Sequence, residues 1–225
     1  MPVSIPIAEL CERYRRVSVS VVCDALYELG LPERVLPSDL RPLLPDDAMA
    51  GVAYTLQGRS IHPPIGWEPG IERIESYLRM FDELSPHSVL VSSNPGSEVG
   101  HFGELTGNAA RQRGCAGVVL DGNLRDLDGL LDIGLQVFYR DLSPLNAIGR
   151  WEMEASQVPV TIGAVTVEPG DLIVAGRDGV LAVPGGEKER VLEQAESIDG
   201  SEAQVRRDMR EGVSPWEGLE RHGHI

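Results

Sequence analysis

The sequence predicts an α/β fold: a layered, β-rich domain with parallel βαβ units and a long C-terminal helix. Three observations predict it. Short apolar segments alternate with helical patterns across residues 88–139, β-branched segments separated by turns fill residues 158–183, and residues 187–210 have one long helical pattern. A chain of 225 residues is within the range of a single domain, so we expect one domain over residues 1–225.

The first third is predicted to be mainly helical. The expected elements are helices over residues 8–16, 18–29 and 71–84, a strand over 51–59, and loops over 31–47 and 62–70. Ser18 or Ser20 is expected to cap the second helix, and Gly30 to end it. The Pro- and Gly-rich segment 62–70 is expected to be a mobile loop.

The middle of the chain has the clearest pattern. The expected elements are strands over residues 88–92, 116–120 and 136–139, and helices over 105–113 and 124–133. Gly114 and Gly134 are placed to end the two helices. Strict alternation of strand and helix favours parallel βαβ units with right-handed crossovers.

The last third changes character. Strands are predicted within residues 158–167, 171–174 and 180–183, with turns at 168–170 and 177–179. These strands are expected to be antiparallel or mixed. The helix over 187–210 is too charged to be fully buried, so we expect one face to pack on the body or on a neighbouring subunit.

Composition excludes several classes of protein. The net charge of −15 opposes binding to a phosphate backbone, so a nucleic-acid partner is not expected. No apolar run is long enough for a membrane helix, and the N-terminus has no signal-peptide pattern. Three cysteines without C-x-x-C spacing favour free thiols in a reducing compartment. We therefore expect a cytoplasmic protein that does not bind membranes.

The lysine content limits the chemistry. Lys188 is the only lysine, and it lies at a predicted helix start in the segment GGEKER. An enzyme that forms an imine with its substrate needs a desolvated lysine in a pocket. The sequence therefore argues against imine-forming aldolase chemistry.

Two loops at strand ends carry the candidate functional residues. The first, residues 92–106, ends at a helix start where the amides of Leu105 and Thr106 can bind an anion. The second, residues 121–126, carries Arg125 and Asp126 directly after a buried strand. Neighbouring parallel strands would bring the loops together at the edge where such folds bind ligands.

Each of these residues also has a purely structural interpretation. Arg125 and Asp126 can be ordinary first-turn residues, with Asp126 favoured by the helix dipole. Glu104 alone is more often a helix-start carboxylate than a metal ligand. Composition and spacing alone leave both interpretations open.

The segment GELTGNAARQRGCAGVVLDGNLRDLDGLLDIGLQVF, residues 103–138, resembles the RraA-like superfamily. The resemblance continues through PGDLIVAGRDGVLAVP, residues 169–184, and faintly at SVVCDALYELG, residues 20–30. This superfamily includes metal-dependent 4-hydroxy-4-methyl-2-oxoglutarate/4-carboxy-4-hydroxy-2-oxoadipate aldolases and the RraA regulators of ribonuclease E. The aldolase branch has an acidic residue, twenty intervening residues and then Arg-Asp, which matches Glu104 and Arg125-Asp126.

The resemblance implies roles for these residues. Asp126 would be the direct ligand of Mg²⁺ or Mn²⁺, and Arg125 would contact a 2-oxo acid whose carboxylate the amides of Leu105 and Thr106 hold. Glu104 stands where the aldolases usually have aspartate, a departure that concerns the substrate more than the metal.

The metal shell is expected to be completed through water, by Glu104 and by an acidic residue from the C-terminal helix of an adjacent subunit. Glu202 is the best match for that second residue, with Glu193, Glu196 and Glu211 nearby. The expected assembly is a homotrimer or a homohexamer.

The resemblance therefore implies a carbon–carbon lyase: a 4-hydroxy-2-oxo acid aldolase, an oxaloacetate decarboxylase, or both, acting through a pyruvate-type enolate. The alternatives are a non-catalytic regulator of ribonuclease E and a metal-dependent hydratase or hydrolase on the same scaffold. The sequence leaves the roles of four other residues open. His101 is a base, a ligand or merely hydrogen-bonded; His62 and Trp67 form a lid or a surface loop; Arg150 binds a second carboxylate or is structural.

Overall fold

The computed structural model describes residues 5–224. The helices are α1 (Ile7–Tyr14), α2 (Val19–Glu28), α3 (Trp67–Met80), α4 (Glu104–Gln112), α5 (Leu127–Ile133), α6 (Lys188–Arg210) and α7 (Pro215–His222). The strands are β1 (Arg34–Val35), β2 (Arg41–Pro42), β3 (Met49–Ser60), β4 (Ser88–Ser93), β5 (Gly100–Phe102), β6 (Gly117–Leu124), β7 (Val137–Leu142), β8 (Trp151–Ser156), β9 (Val160–Ile162), β10 (Val165–Val167), β11 (Leu172–Gly176) and β12 (Gly179–Val183). A 3₁₀ turn, Phe81–Glu83, follows α3.

Ten strands form one mixed sheet in the order β1-β12-β11-β3-β4-β6-β7-β2, with β5 beside β6 and β8 beside β3. The central strands β3, β4, β6 and β7 run parallel to one another, and β5 runs parallel to β6. The other strands of the sheet pair antiparallel with their neighbours, and β9 and β10 form a separate hairpin. This architecture confirms the predicted α/β class, with parallel units in the middle and mixed pairing in the last third.

Apolar packing covers both faces of the central strands. On one face Leu90 and Val118 belong to a core with side chains of α3, α4 and α5. On the other face Val89 and Val119 pack with Val160 of the β9–β10 hairpin. A strand that is buried on both faces has a continuous run of apolar residues in its sequence. The strands over residues 88–92 and 116–120 could therefore be predicted.

A third core lies under α6. Val191, Leu192, Ala195 and Ile198 are buried against α1, α2 and the β11–β12 hairpin. The long C-terminal helix is therefore confirmed, with one apolar face on the body. Within residues 5–224, no helix is both long and apolar enough to cross a membrane.

The first third differs from the prediction in two places. Residues 31–47 contain the two-residue strands β1 and β2. Helix α3 begins at Trp67 rather than at residue 71, which shortens the predicted loop 62–70. Gly66 takes the N-cap position with φ 85°, a conformation that glycine adopts without strain, so the chain turns into the helix earlier than its periodicity indicates.

The middle third differs at one junction. β6 continues to Leu124, and α5 begins only at Leu127, whereas the prediction began the helix at residue 124. Asn123 and Leu124 pair with β7, and both also pair with β5, a strand inside the segment predicted as loop. Asp121 and Gly122, the first residues of the predicted loop 121–126, therefore lie within β6.

Two further elements, β8 and α7, were not predicted. β8 pairs with β3 through a register shift at Gln57/Gly58. Helix α7 begins with Ser214 as N-cap, whose hydroxyl accepts from the amide of Glu217 and whose amide donates to the carboxylate of Glu217. This capping box is visible in the sequence SPWE and was a missed signal.

Candidate active site

The start of α4 presents uncapped backbone amides. The amide of Gly103 donates to Oγ1 of Thr106 at 2.9 Å, and that hydroxyl donates back to the carbonyl of Gly103 at 3.0 Å. These bonds fix the turn between β5 and α4. Gly103 offers no side chain to cap the helix, and the Leu105 side chain is 83% exposed. The amides of Leu105 and Thr106 therefore form an accessible helix start that favours an anion.

Arg125 and Asp126 follow β6 as predicted. Asp126 has φ 54° and ψ 47°, a left-handed conformation that a non-glycine residue adopts at some cost. It is the N-cap residue of α5, yet its side chain makes no capping hydrogen bond. Its two carboxylate oxygens instead lie 3.3 and 3.2 Å from Nε of Arg125. Asp126 is thus the N-cap residue of α5 rather than a first-turn residue, and its carboxylate faces Arg125 instead of the amides of the helix start.

Two glycines let β5 and α4 approach this pair. An ideal Cβ on Gly100 would lie 2.9 Å from Cβ of Arg125. On Gly103 it would lie 2.7 Å from Cγ of Arg125 and 2.7 Å from Oδ2 of Asp126. The two loops predicted to converge therefore meet, with the Arg125 side chain lying over the β5–α4 turn.

Glu104 points across to α5. An ideal Cβ on Gly129 would lie 2.7 Å from Cδ of Glu104, so its carboxylate packs against the first turns of α5. Glu104 and Asp126 are both solvent-accessible at the junction between α4 and α5. Residues 5–224 contain no group of three or more His, Cys, Asp or Glu side chains arranged for a metal.

The donor set fits a hard cation that keeps much of its water. Asp126 offers carboxylate oxygens that no backbone amide of the helix start occupies, and Glu104 offers a second carboxylate. Mg²⁺ is commonly held by one or two carboxylates together with several waters. These residues therefore suit Mg²⁺ or Mn²⁺ better than zinc, whose protein sites are built mainly from histidine and cysteine.

A cavity of about 290 Å³ opens beside the Arg125-Asp126 pair. Its polar side is formed by Arg125, Asp126 and Thr106. Its other walls come mainly from α3 and from the segment before β8. The remaining lining residues are Ile71, Ile74, Tyr77, Leu78, Gly100, His101, Gly103, Leu105, Asn146, Ala147 and Ile148. On the opposite side of the pair, Leu142, Ser143 and Pro144 help to line a second depression of about 270 Å³.

His101 is buried in a neutral polar network under the cavity. Its ring stacks on Trp151, with centroids 4.5 Å apart, and its Nε2 lies 3.2 Å from Oγ of Ser92. Asn94 links the same partners, donating to Ser92 and accepting from the Trp151 indole. Burial lowers the pKa of His101 to about 3, because the imidazolium loses its hydration.

Among the open roles of His101, the structure favours the hydrogen-bonded one. Tyr77 donates its hydroxyl to the carbonyl of His101 at 3.0 Å, which ties α3 to β5. Nδ1 of His101 has no hydrogen-bond partner among the described residues.

Other candidate residues lie away from the cavity. His62 lines a separate polar pocket with Arg59, Arg73 and Glu152. Trp67 is the first residue of α3 and not part of a loop. Arg150 lies near Trp67 and donates to Asn146 at 3.2 Å, on the far side of the cavity wall. None of the three is among the lining residues of the cavity.

Glu202 and Lys188 both lie on α6. The carboxylate of Glu202 accepts from Arg206 at 2.8 Å, one turn along the helix. The carbonyl of Lys188 accepts from the hydroxyl of Tyr14, which ties the helix start to α1. Helix α6 packs in the core with α1 and α2, and neither residue lines the cavity. The role predicted for Glu202 in an adjacent subunit's site stays a prediction.

The RraA-like family, described as Aldolase/RraA, matches residues 19–182. The chain belongs to the RraA-like family. That stretch contains β3 to β7 and both loops of the candidate site.

Relatives of this RraA-like chain have different named activities. A protein of Halalkalibacterium halodurans named "Putative 4-hydroxy-4-methyl-2-oxoglutarate aldolase" is 29% identical over 89% of both chains. The solved structure of Streptomyces coelicolor RraAS2, described as an unusual member of the RNase ES inhibitor RraA protein family, has TM-score 0.77 and 28% identity, over 91% of this chain and 99% of that one. An uncharacterized Pseudomonas syringae protein shares the fold, with TM-score 0.82 and 24% identity, over 98% and 99%.

Sequence reasoning missed the α3 wall of the RraA-like site. Ile71, Ile74 and Leu78 recur at i, i+3 and i+7, a helical stripe that is visible in the sequence but was used only to predict a helix. The segment 146–148 opposite it had no local signal, because only the tertiary fold brings it to the cavity.

Proposed function

We propose that this RraA-like protein is a divalent-metal-dependent carbon–carbon lyase. It would cleave the C3–C4 bond of a 4-hydroxy-2-oxo acid, remove CO₂ from oxaloacetate, or do both. One observation carries the proposal: Arg125 and Asp126 lie against the uncapped start of α4, at the mouth of a cavity of about 290 Å³. The aldolase name of the H. halodurans relative supports the same reaction class.

The α4 start is suited to the substrate's carboxylate. The amides of Leu105 and Thr106 supply fixed dipoles that favour negative charge without reorganising. The Nε of Arg125 donates to the carboxylate of Asp126. The two terminal nitrogens of Arg125 have no hydrogen-bond partner within residues 5–224. A planar guanidinium can therefore donate to the 2-oxo group and hold it in line with the carboxylate.

In the aldol cleavage the 4-hydroxyl loses its proton to water and C4 becomes a carbonyl carbon. The C3–C4 electron pair moves toward C2, which leaves an enolate oxygen. Arg125 stabilises the charge that grows on this oxygen, and protonation of C3 by water then gives pyruvate. Decarboxylation of oxaloacetate would leave the same enolate, with CO₂ as the lost fragment.

A Mg²⁺ or Mn²⁺ ion held by Asp126, with Glu104 as a further oxygen donor, would supply a positive charge that favours the enolate. Asp126 also holds Arg125 by the bonds to Nε, which keeps the guanidinium at the α4 start. The left-handed backbone at Asp126 keeps the carboxylate away from the amides of α5.

The experiment is a panel of 4-hydroxy-2-oxo acids and oxaloacetate, assayed for pyruvate with added Mg²⁺, with EDTA, and with borohydride. We expect release that needs the cation and is indifferent to borohydride. Borohydride inactivation that depends on substrate and adds mass at Lys188 would instead establish imine chemistry.

We further propose a homotrimer or homohexamer in the cytoplasm, in which Glu202 of one subunit completes the metal site of its neighbour through water. In support of this role, Glu202 follows one turn after Ile198, at the C-terminal end of the stretch of α6 that packs with α1 and α2.

The second candidate function is regulation of an RNA-processing enzyme. The likeness to RraAS2 and the net charge of −15 favour a protein partner with basic segments. The retained Arg125-Asp126 pair distinguishes the two functions. A lyase needs both side chains for turnover, whereas binding of a ribonuclease at a distant acidic surface does not.

A further inference from the structure

The cavity beside Arg125 is polar at one end and apolar at the other. Ile71, Ile74 and Leu78 present one stripe of α3 to it, and Ala147 and Ile148 face them from the segment before β8. Ile74 is buried, whereas Ile71 and Leu78 are 45% and 54% exposed at the rim. The apolar wall therefore begins inside the cavity and reaches its opening.

Among its described residues, the subunit itself supplies no second cation to this wall. Among the described residues that line the cavity, Arg125 is the one cationic side chain, and the proposed reaction uses it at the 2-oxo group. His101 stays neutral, since burial lowers its pKa to about 3. The hydroxyl of Tyr77 is directed to the carbonyl of His101. A carboxylate at this end would lose water without gaining an ion pair, which is unfavourable.

We infer that the group on C4 of the substrate is a hydrocarbon, aliphatic or aromatic, and not a carboxylate. This inference rests on the proposed function, because the lyase reaction sets the 2-oxo acid end at Arg125 and directs C4 toward α3. Cleavage of the C3–C4 bond then releases pyruvate and an apolar aldehyde or ketone. The 4-hydroxyl proton goes to water and C3 gains one from water, so the step needs no oxidant or reductant.

The apolar wall, not the polar end, would set specificity. Each methylene moved from water into such a wall favours binding by roughly fourfold. The rate constant kcat/KM should therefore rise along a series of 4-alkyl substrates until the cavity is full. An isopropyl group and a carboxylate have similar shapes, so they form a matched pair that differs mainly in charge.

The test measures kcat/KM for pyruvate release from 4-hydroxy-2-oxo acids with methyl, ethyl, isopropyl, phenyl or carboxylate at C4. We expect the isopropyl compound to exceed the carboxylate compound by roughly tenfold or more. Leu78→Arg places a cation at the rim and should reduce that ratio by about fivefold. Leu131→Arg, a similarly exposed leucine on α5 that does not line the cavity, should leave the ratio unchanged.

The outcomes separate the inference from the proposed function. Pyruvate released mainly from the carboxylate compound overturns the inference and leaves the lyase intact. No pyruvate from any 2-oxo acid overturns the lyase and the inference together. If Leu78→Arg changes the oligomeric mass and leaves the ratio unaltered, a second copy of the chain covers this wall, and the inference is wrong.

Discussion

Gly103 lies so close to Asp126 that a methyl group at its α-carbon would stand 2.7 Å from the carboxylate oxygen Oδ2. The backbone of Gly103 has φ −157°, which any residue can adopt. The absence of a side chain there is therefore a matter of space and not of backbone conformation. This contact gives a substitution that disturbs the candidate site without removing any of its functional groups.

Gly103→Ala should displace the side chains of Arg125 and Asp126, because both lie 2.7 Å from the added carbon. We expect kcat/KM to fall by about a hundredfold, as for a misplacement near 1 Å. The thermal midpoint should change little, since the displaced side chains are partly exposed. Gly186→Ala, where nothing lies within 4 Å, is the matched control. Unchanged turnover in Gly103→Ala would show that the positions of Arg125 and Asp126 do not matter for catalysis.

Glu104→Asp tests why this chain has the longer acid. The Glu104 carboxylate reaches Gly129 on α5, and aspartate is one methylene shorter. If Glu104 serves only as an outer oxygen donor, the variant should keep turnover and accept a wider range of 2-oxo acids. Loss of turnover with retained Mg²⁺ affinity, measured by calorimetry, would show that the added length is fitted to the reaction.

His101 should make folding sensitive to acid. Its folded pKa is about 3, below the unfolded value of 6.5, and its contacts Ser92, Tyr77 and Trp151 are uncharged. Between these values the unfolded chain binds one more proton. Stability is therefore lost as pH falls below 6.5, by about 1.4 kcal/mol per pH unit from this group.

His101→Phe keeps an aromatic ring beside Trp151 and removes the titration. Denaturant unfolding at pH 7, 6 and 5 should give a shallower pH slope for the variant than for the wild type. Parallel slopes would mean that the imidazole gains its proton inside the folded protein.

Mixing variants tests whether the site is shared between subunits. Asp126→Ala and Glu202→Gln proteins should each be impaired alone. When they are unfolded together and refolded as mixed oligomers, some sites regain both wild-type residues and activity should return. Glu211→Gln should be active by itself and serves as the control on the same helix end. If light scattering shows a monomer and that monomer is fully active, Glu202 is not part of the site.

Much of the central fold followed from the sequence, because strands buried on both faces are short apolar runs that local pattern detects. β5 and β8 did not, since both are specified by pairing with β6 and β3 rather than by alternation of their own residues. The start of α3 depends on a glycine with positive φ, which a periodicity analysis does not register.

The candidate site was predictable in part. The sequence predicted that the two loops would converge, because they follow neighbouring parallel strands. The structure brings Gly103 of one loop against Arg125 of the other. The left-handed backbone of Asp126 and the α3 wall did not follow, because conformation at one residue and contact between distant segments are tertiary effects. The apolar end of the cavity thus came from the structure alone.

The most direct test compares Arg125→Ala, Arg125→Lys and Asp126→Ala for pyruvate release and for Mg²⁺ affinity, after circular dichroism shows that each is folded. Arg125→Ala should lose about 10²–10³ in rate while keeping the metal, because one donor to the growing enolate charge is gone. Lysine should rescue little, since an ammonium lacks the planar two-pronged geometry. Asp126→Ala should weaken Mg²⁺ binding and lose turnover that excess Mg²⁺ partly restores. Unchanged turnover and unchanged metal affinity in both alanine variants would contradict the lyase proposal and favour the regulator.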